Sequence, residues 1–204
     1  GSGSSVGVSL VKTLAEIISE WYESKGLRDR PLELLDVGGR DGILIRQIQL
    51  PSSVRITGID IDSDALLEYK LHFPSARVQI VDCNENLPFM SESFDIVLGG
   101  EIIEHLISPP LFISEIHRIL KPYGLFTGST PNAFRFDKRV QLLLGNDPKS
   151  FSDITHTRYF SYDSLNEVLK QYFSNISIMN YSRNNLVAVA PRMFADGFIW
   201  RAEH

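Results

Sequence analysis

The chain has 204 residues, with 25 acidic and 20 basic side chains and a formal charge of −5. A content of 43% apolar and 22% charged residues is that of an ordinary folded domain and excludes intrinsic disorder. The lone cysteine, Cys83, excludes an internal disulfide or a cysteine-rich zinc centre, and the acidic balance argues against non-specific nucleic-acid binding.

No apolar run reaches the roughly 18–20 residues of a membrane span. The opening Gly1-Ser2-Gly3-Ser4-Ser5 lacks a basic start and an apolar core. It reads as a vector-derived scar or frayed end rather than a secretory signal. One unpaired cysteine suits a reducing cytoplasm, which is the expected location.

From Val6 to about Lys25, apolar residues fall at Leu10, Leu14, Ile17, Ile18 and Trp21, the spacing of an amphipathic helix. Leu32–Val37 reads as a buried strand running into glycines, and 42–50 as a helix ended by Pro51. Strands are expected at Arg55–Ile61, Arg77–Val81, Phe94–Leu98 and Leu125–Ser129. A helix capped by Ser63 lies between the first two of these, and one opened by Pro109-Pro110 precedes the last. Residues 131–160 mix Pro, Asn, Asp, Lys and Arg and read as a lid with a short helix near Val140–Leu144. A final helix at Ser161–Tyr172 precedes a hairpin of Ile176–Tyr181 and Leu186–Ala190 around Arg183-Asn184-Asn185.

Strands alternating with helices imply one α/β domain, a Rossmann-like and mostly parallel sheet with helices on both faces. In this reading 6–31 is an N-terminal helical segment, 32–130 the ligand-binding core, 131–160 the lid and 161–192 the closing helix and hairpin.

The segment LLDVGGRDG (34–42) passes from strand to helix, where glycines let a ligand approach the backbone. Asp60 ends the next strand, 18 residues after Gly42, where a carboxylate can accept both hydroxyls of a ribose. Asp82 ends the third strand. One such acid is readily a helix cap or turn residue; three at one sheet edge suit a nucleoside-like ligand. The nicotinamide fingerprint G-x-G-x-x-G and the P-loop pattern are both absent.

Five motifs stand in order: LLDVGGRDG (34–42), ITGIDID (56–62), VQIVDCNENLPF (78–89), SFDIVLGGEIIEHL (93–106) and EIHRILKPYGLFTGSTPN (115–132). Together they resemble the class I S-adenosylmethionine-dependent methyltransferases over about residues 32–192, a group that includes ubiquinone-pathway O-methyltransferases. The resemblance implies a seven-stranded sheet with a C-terminal antiparallel hairpin and S-adenosyl-L-methionine as cofactor. It implies a small or carrier-linked acceptor, and the acidic balance argues against a nucleic-acid partner. Gly38, Gly39 and Gly42 would floor the methionine moiety, with Asp36 near its ammonium. Asp60 would take the ribose, Ile61 the adenine face, and Asp82 and Cys83 the ring edge. Gly99 and Glu101 would line the transfer site. The pattern's middle glycine is Arg40 here, which bears on cofactor affinity.

Glu104 and His105 are the candidate catalytic residues, since an oxygen or nitrogen acceptor calls for a base. No metal is assigned. An alternative reading starts from Glu101, Glu104 and His105 followed by a distant His156. That pattern resembles the metal site of small-RNA 3′-terminal 2′-O-methyltransferases. A third alternative is a methyltransferase-like module that binds without catalysis.

Overall fold

The computed structural model describes residues 4–27, 30–48, 50–51, 53–148, 151, 153–182 and 185–204. Helix α1 (Ser4–Ser24) is followed by β1 (Leu32–Val37), α2 (Ile43–Gln47), β2 (Val54–Asp60), α3 (Ser63–His72), β3 (Arg77–Ile80) and β4 (Phe94–Gly100). Then come α4 (Pro109–Ile119), β5 (Leu120–Pro131), α5 (Phe136–Leu143), α6 (Tyr162–Lys170), β6 (Asn175–Tyr181), α7 (Pro191–Phe194) and β7 (Gly197–Glu203).

All seven strands form one sheet in the order β3-β2-β1-β4-β5-β7-β6. The pairs β3–β2, β2–β1, β1–β4 and β4–β5 are parallel, and β7 runs antiparallel to both neighbours. The chain winds outward from β1 to β3, then returns to place β4 on the other side of β1. The carboxyl ends of β1 and β4 therefore flank a topological switch point, where open α/β sheets hold their ligands.

The apolar pattern explains the layers. Leu14, Ile17, Ile18 and Trp21 of α1 recur at helical spacing and are buried on one face of the sheet with Leu32, Leu34, Ile96 and Leu98. On the other face Phe112, Ile113, Ile116 and Ile119 of α4 pack with Leu165 and Leu169 of α6 against Leu35, Val97 and Phe126. Strands β1 and β4 are buried on both sides, as their near-continuous hydrophobic sequences require.

The expected fold class is the one observed, but several element positions are corrected. The strand expected at Leu186–Ala190 is instead a 3-10 turn (Asn185–Ala188), and the true partner of β6 is Gly197–Glu203. Burial gives the reason: Leu186 and Val189 stay exposed, whereas Phe198, Ile199, Trp200 and Ala202 are sealed in the core. Of the expected turn, Arg183 and Asn184 lie outside the described residues.

Helix α2 is only five residues long, and α5 begins four residues before the expected stretch. Asp62, not Ser63, caps α3 by accepting from the amides of Asp64 and Ala65. A carboxylate one residue earlier outcompetes the hydroxyl because it stands where both free amides point.

Candidate functional site

The turn after β1 is fixed from below. The amides of Gly38 and Gly39 both donate to the Ile59 carbonyl of β2, and Gly38, Arg40 and Gly42 all have positive φ. A side chain at Gly39 would put its Cβ 2.7 Å from Asp36 Oδ2, and one at Gly42 would meet the Phe73 ring at 2.9 Å. Those two glycines thus serve packing within the chain. Arg40, with φ 47°, is exposed and carries a bulky side chain in a conformation that favours glycine.

Asp36 lies beneath this turn, 1% exposed, and accepts a hydrogen bond from the Tyr69 hydroxyl at 3.0 Å. Burial pushes its carboxyl up to about 7, the Tyr69 bond opposing and the Asp60 charge adding to the rise. Tyr69 stands 33 residues away on α3, and nothing in the sequence marks the pair.

Asp60 closes the same loop from the end of β2. Its Oδ2 accepts from the Arg40 amide and its Oδ1 from the Asp62 amide, both at 2.9 Å. Each carboxylate oxygen retains a second lone pair for a further donor. Beside it Ile61 is 67% exposed, an uncovered apolar side chain between polar strand ends. Asp82 is exposed past β3 and accepts from both the amide and side chain of Asn84, whose own oxygen accepts from the Ile107 amide. Cys83 is buried next to it, and burial pushes its thiol up to about 12, leaving it inert near neutral pH.

Past Gly99, strand β4 ends at Gly100, and Glu101 turns with φ 51°, its amide bonded to the Ser129 carbonyl. The Glu101 carboxylate accepts from the Tyr181 hydroxyl at 3.1 Å. A single 3-10 turn (Ile103–His105) follows. The expected four-residue cluster is therefore divided, because Glu101 pairs with Tyr181 of β6 while Glu104 and His105 meet the segment 155–158.

His156 joins those two. One ligand atom from each of Glu104, His105 and His156 lies within 4.8 Å of the others. The Glu104 carbonyl accepts from the amides of Thr157 and Arg158, and His105 Nδ1 sits 3.0 Å from the Thr155 carbonyl. These bonds pin residues 155–158 over the turn. Glu104 is 3% exposed; its Oε2 accepts from Thr130 at 3.0 Å, while Oε1 has no hydrogen-bond partner among the described residues. Burial pushes its carboxyl up to about 8, with the Glu101 charge adding to the rise. Tyr181, which orients Glu101, is not marked by any motif in the sequence; Thr130, which orients Glu104, stands within the fifth motif, which gives no sign of that pairing.

A family model described as "Methyltransferase domain" matches residues 11–175. A protein of Mycolicibacterium smegmatis named "Probable S-adenosylmethionine-dependent methyltransferase" is 31% identical over 116 residues, 57% of this chain and 42% of that protein. A "Ubiquinone biosynthesis O-methyltransferase" of Paramagnetospirillum magneticum is 34% identical over 109 residues, covering 50% of this chain and 43% of that one. The crystal structure of DszA carbon methyltransferase shares the fold with a TM-score of 0.73 at 14% identity, over 99% of this chain and 55% of that chain. The chain belongs to the methyltransferase-domain family, within the class I group whose cofactor is S-adenosylmethionine. It spans about two fifths of the length of the curated relatives it matches. No described helix is long and apolar enough to cross a membrane.

Proposed function

We propose that the protein is an S-adenosylmethionine-dependent methyltransferase acting on a small or carrier-linked acceptor. The observation that carries this reading is the edge at the switch point: the largely buried Asp60 carboxylate beside the bare Ile61 side chain, above the glycine turn. A carboxylate for vicinal hydroxyls next to an apolar face for a base is the donor set an adenosine requires. The bound cofactor would supply an activated methyl group. In this reading Asp60 takes the ribose and Ile61 the adenine face, with Asp82 and the Cys83 backbone at the ring edge. Gly38, Gly39 and Gly42 floor the methionine moiety and Asp36 lies near its ammonium. Gly99 and Glu101 border the acceptor, and Glu104 with His105 removes or holds its proton.

Asp60→Asn tests it. The amide keeps one acceptor oxygen but loses the charge, so S-adenosylhomocysteine should bind about tenfold to a hundredfold more weakly by calorimetry, the cost of one or two charge-assisted hydrogen bonds. Equal affinity in the variant would sink the ribose assignment.

A second reading rests on the Glu104–His105–His156 cluster, in which a carboxylate oxygen of Glu104 lies near the two imidazoles. Two nitrogens and a carboxylate oxygen suit a divalent transition ion, which could polarise an acceptor hydroxyl. Mn²⁺ should then raise the melting temperature of the wild type and leave His156→Ala unmoved. The same response in both proteins would remove the reading.

A further inference from the structure

The turn after β1 holds a side chain that its packing does not explain. Gly38, Arg40 and Gly42 have φ of 64°, 47° and 75°, a left-handed conformation that glycine adopts freely and a long side chain resists. Arg40 is exposed, and its guanidinium has no hydrogen-bond or ion-pair partner among the described residues. The acid next to it, Asp41, is taken by Arg46, which also contacts His72. Arg40 therefore carries a backbone cost that no side-chain contact within the described chain offsets. An outlier of that kind points to a use outside the fold's own packing.

The main chain at Arg40 is nonetheless fixed. Its amide donates to Asp60 Oδ2 at 2.9 Å, and the two preceding amides, of Gly38 and Gly39, hold the Ile59 carbonyl. A long cation is thus anchored through its backbone to the carboxylate assigned to the ribose. Asp36 lies beneath the same turn, its Oδ2 2.7 Å from the place of a Cβ on Gly39. The turn so combines a buried acid with an exposed, unpartnered guanidinium. The methionyl end of S-adenosylmethionine is a zwitterion, an ammonium and a carboxylate on one carbon. An acid suits the first, and the planar donor fork of an arginine suits the second.

We infer that Arg40 holds the α-carboxylate of the cofactor and sets the chain's preference for a ligand carrying that group. The inference rests on the methyltransferase reading and adds to it a contact at the position where the family pattern has glycine. Asp41, Asp60 and Asp62 make the surrounding edge acidic. The carboxylate is therefore held by a directed contact with one guanidinium, not by a general positive field.

Calorimetry on the full chain compares S-adenosylmethionine with decarboxylated S-adenosylmethionine, two ligands that differ only by the carboxylate. The wild type should favour the first about tenfold, the effect of one charge-assisted contact. Arg40→Gln and Arg40→Gly should each lose most of that preference through weaker binding of S-adenosylmethionine, with the decarboxylated ligand bound as before. Arg40→Lys should recover part of it, since an ammonium keeps the charge without the fork. The thermal midpoint of Arg40→Gly should be unchanged or higher, because glycine relieves the left-handed backbone, so its weaker binding is not that of a damaged fold.

Tighter binding of S-adenosylmethionine by Arg40→Gly, equal losses for both ligands, or a wild type that does not tell them apart overturns this inference alone. A wild type that binds neither ligand overturns the cofactor reading and the inference with it.

Discussion

Replacing Asp36 by Asn should stabilise the protein at pH 8 by about 2–4 kcal/mol, one of the two largest changes expected from a single substitution here. The Asp36 carboxyl is sealed beneath the glycine turn and raised from 3.8 to about 7, chiefly by burial. Below about pH 4 it carries its proton folded or unfolded, so it contributes nothing to the difference. Between about pH 4 and 7 the folded form keeps a proton that the unfolded form releases, and stability falls as pH rises. Above 7 the full cost of the buried charge is present.

Asparagine removes that cost while its oxygen can still accept from Tyr69. Urea denaturation at pH 5 and pH 8 reads the effect: the variant should gain most at pH 8 and lose the fall between. A wild type whose midpoint is flat from pH 4 to 7 would contradict the buried, raised carboxyl. If Asp36 serves the cofactor's ammonium, the more stable variant should also bind S-adenosylhomocysteine less well.

Gly128→Ala is expected to destabilise by about 3 kcal/mol or more, through overpacking rather than lost contacts. A Cβ there would press into the Gly99 carbonyl oxygen and stand 2.5 Å from the Trp200 ring. The first neighbour is backbone of the adjacent strand, so it cannot swing away. Gly128 pairs with Gly99 in β4 and with Trp200 in β7, which places the strain at the centre of the sheet. The thermal midpoint should fall sharply, and a loss below about 1 kcal/mol would mean that the strands separate more readily than this packing allows.

The parts legible in the sequence were those encoded locally. Apolar runs ending in Asp or Gly gave β1, β2 and β4, and the alternation of strands and helices gave the sheet. Motif order gave the family. What escaped was set at long range. Asp36 with Tyr69, Glu101 with Tyr181 and Glu104 with Thr130 are pairs joined only by folding. The pattern of Glu101, Glu104, His105 and His156 suggested one cluster, but a positive φ at Glu101 and a single 3-10 turn set Glu101 apart.

The second strand of the hairpin was misplaced for a related reason. Asparagines after Tyr181 looked like a tight turn, whereas the chain makes a longer excursion through α7 before Gly197. The core's demand for Phe198 and Trp200 decided the pairing, and that demand is not visible in a local window.

The position of β7 has a consequence for the order of assembly. It fills an interior slot between β5 and β6, although it is the latest of the seven strands to emerge during synthesis. Until residues 197–203 are available, β5 has an open edge on that side and β6 has no strand to join. The first five strands can therefore assemble early, while the region carrying Tyr181 waits for the final insertion. A nascent chain would expose a sticky β5 edge during that interval, making its last steps of folding the ones most in need of protection from aggregation.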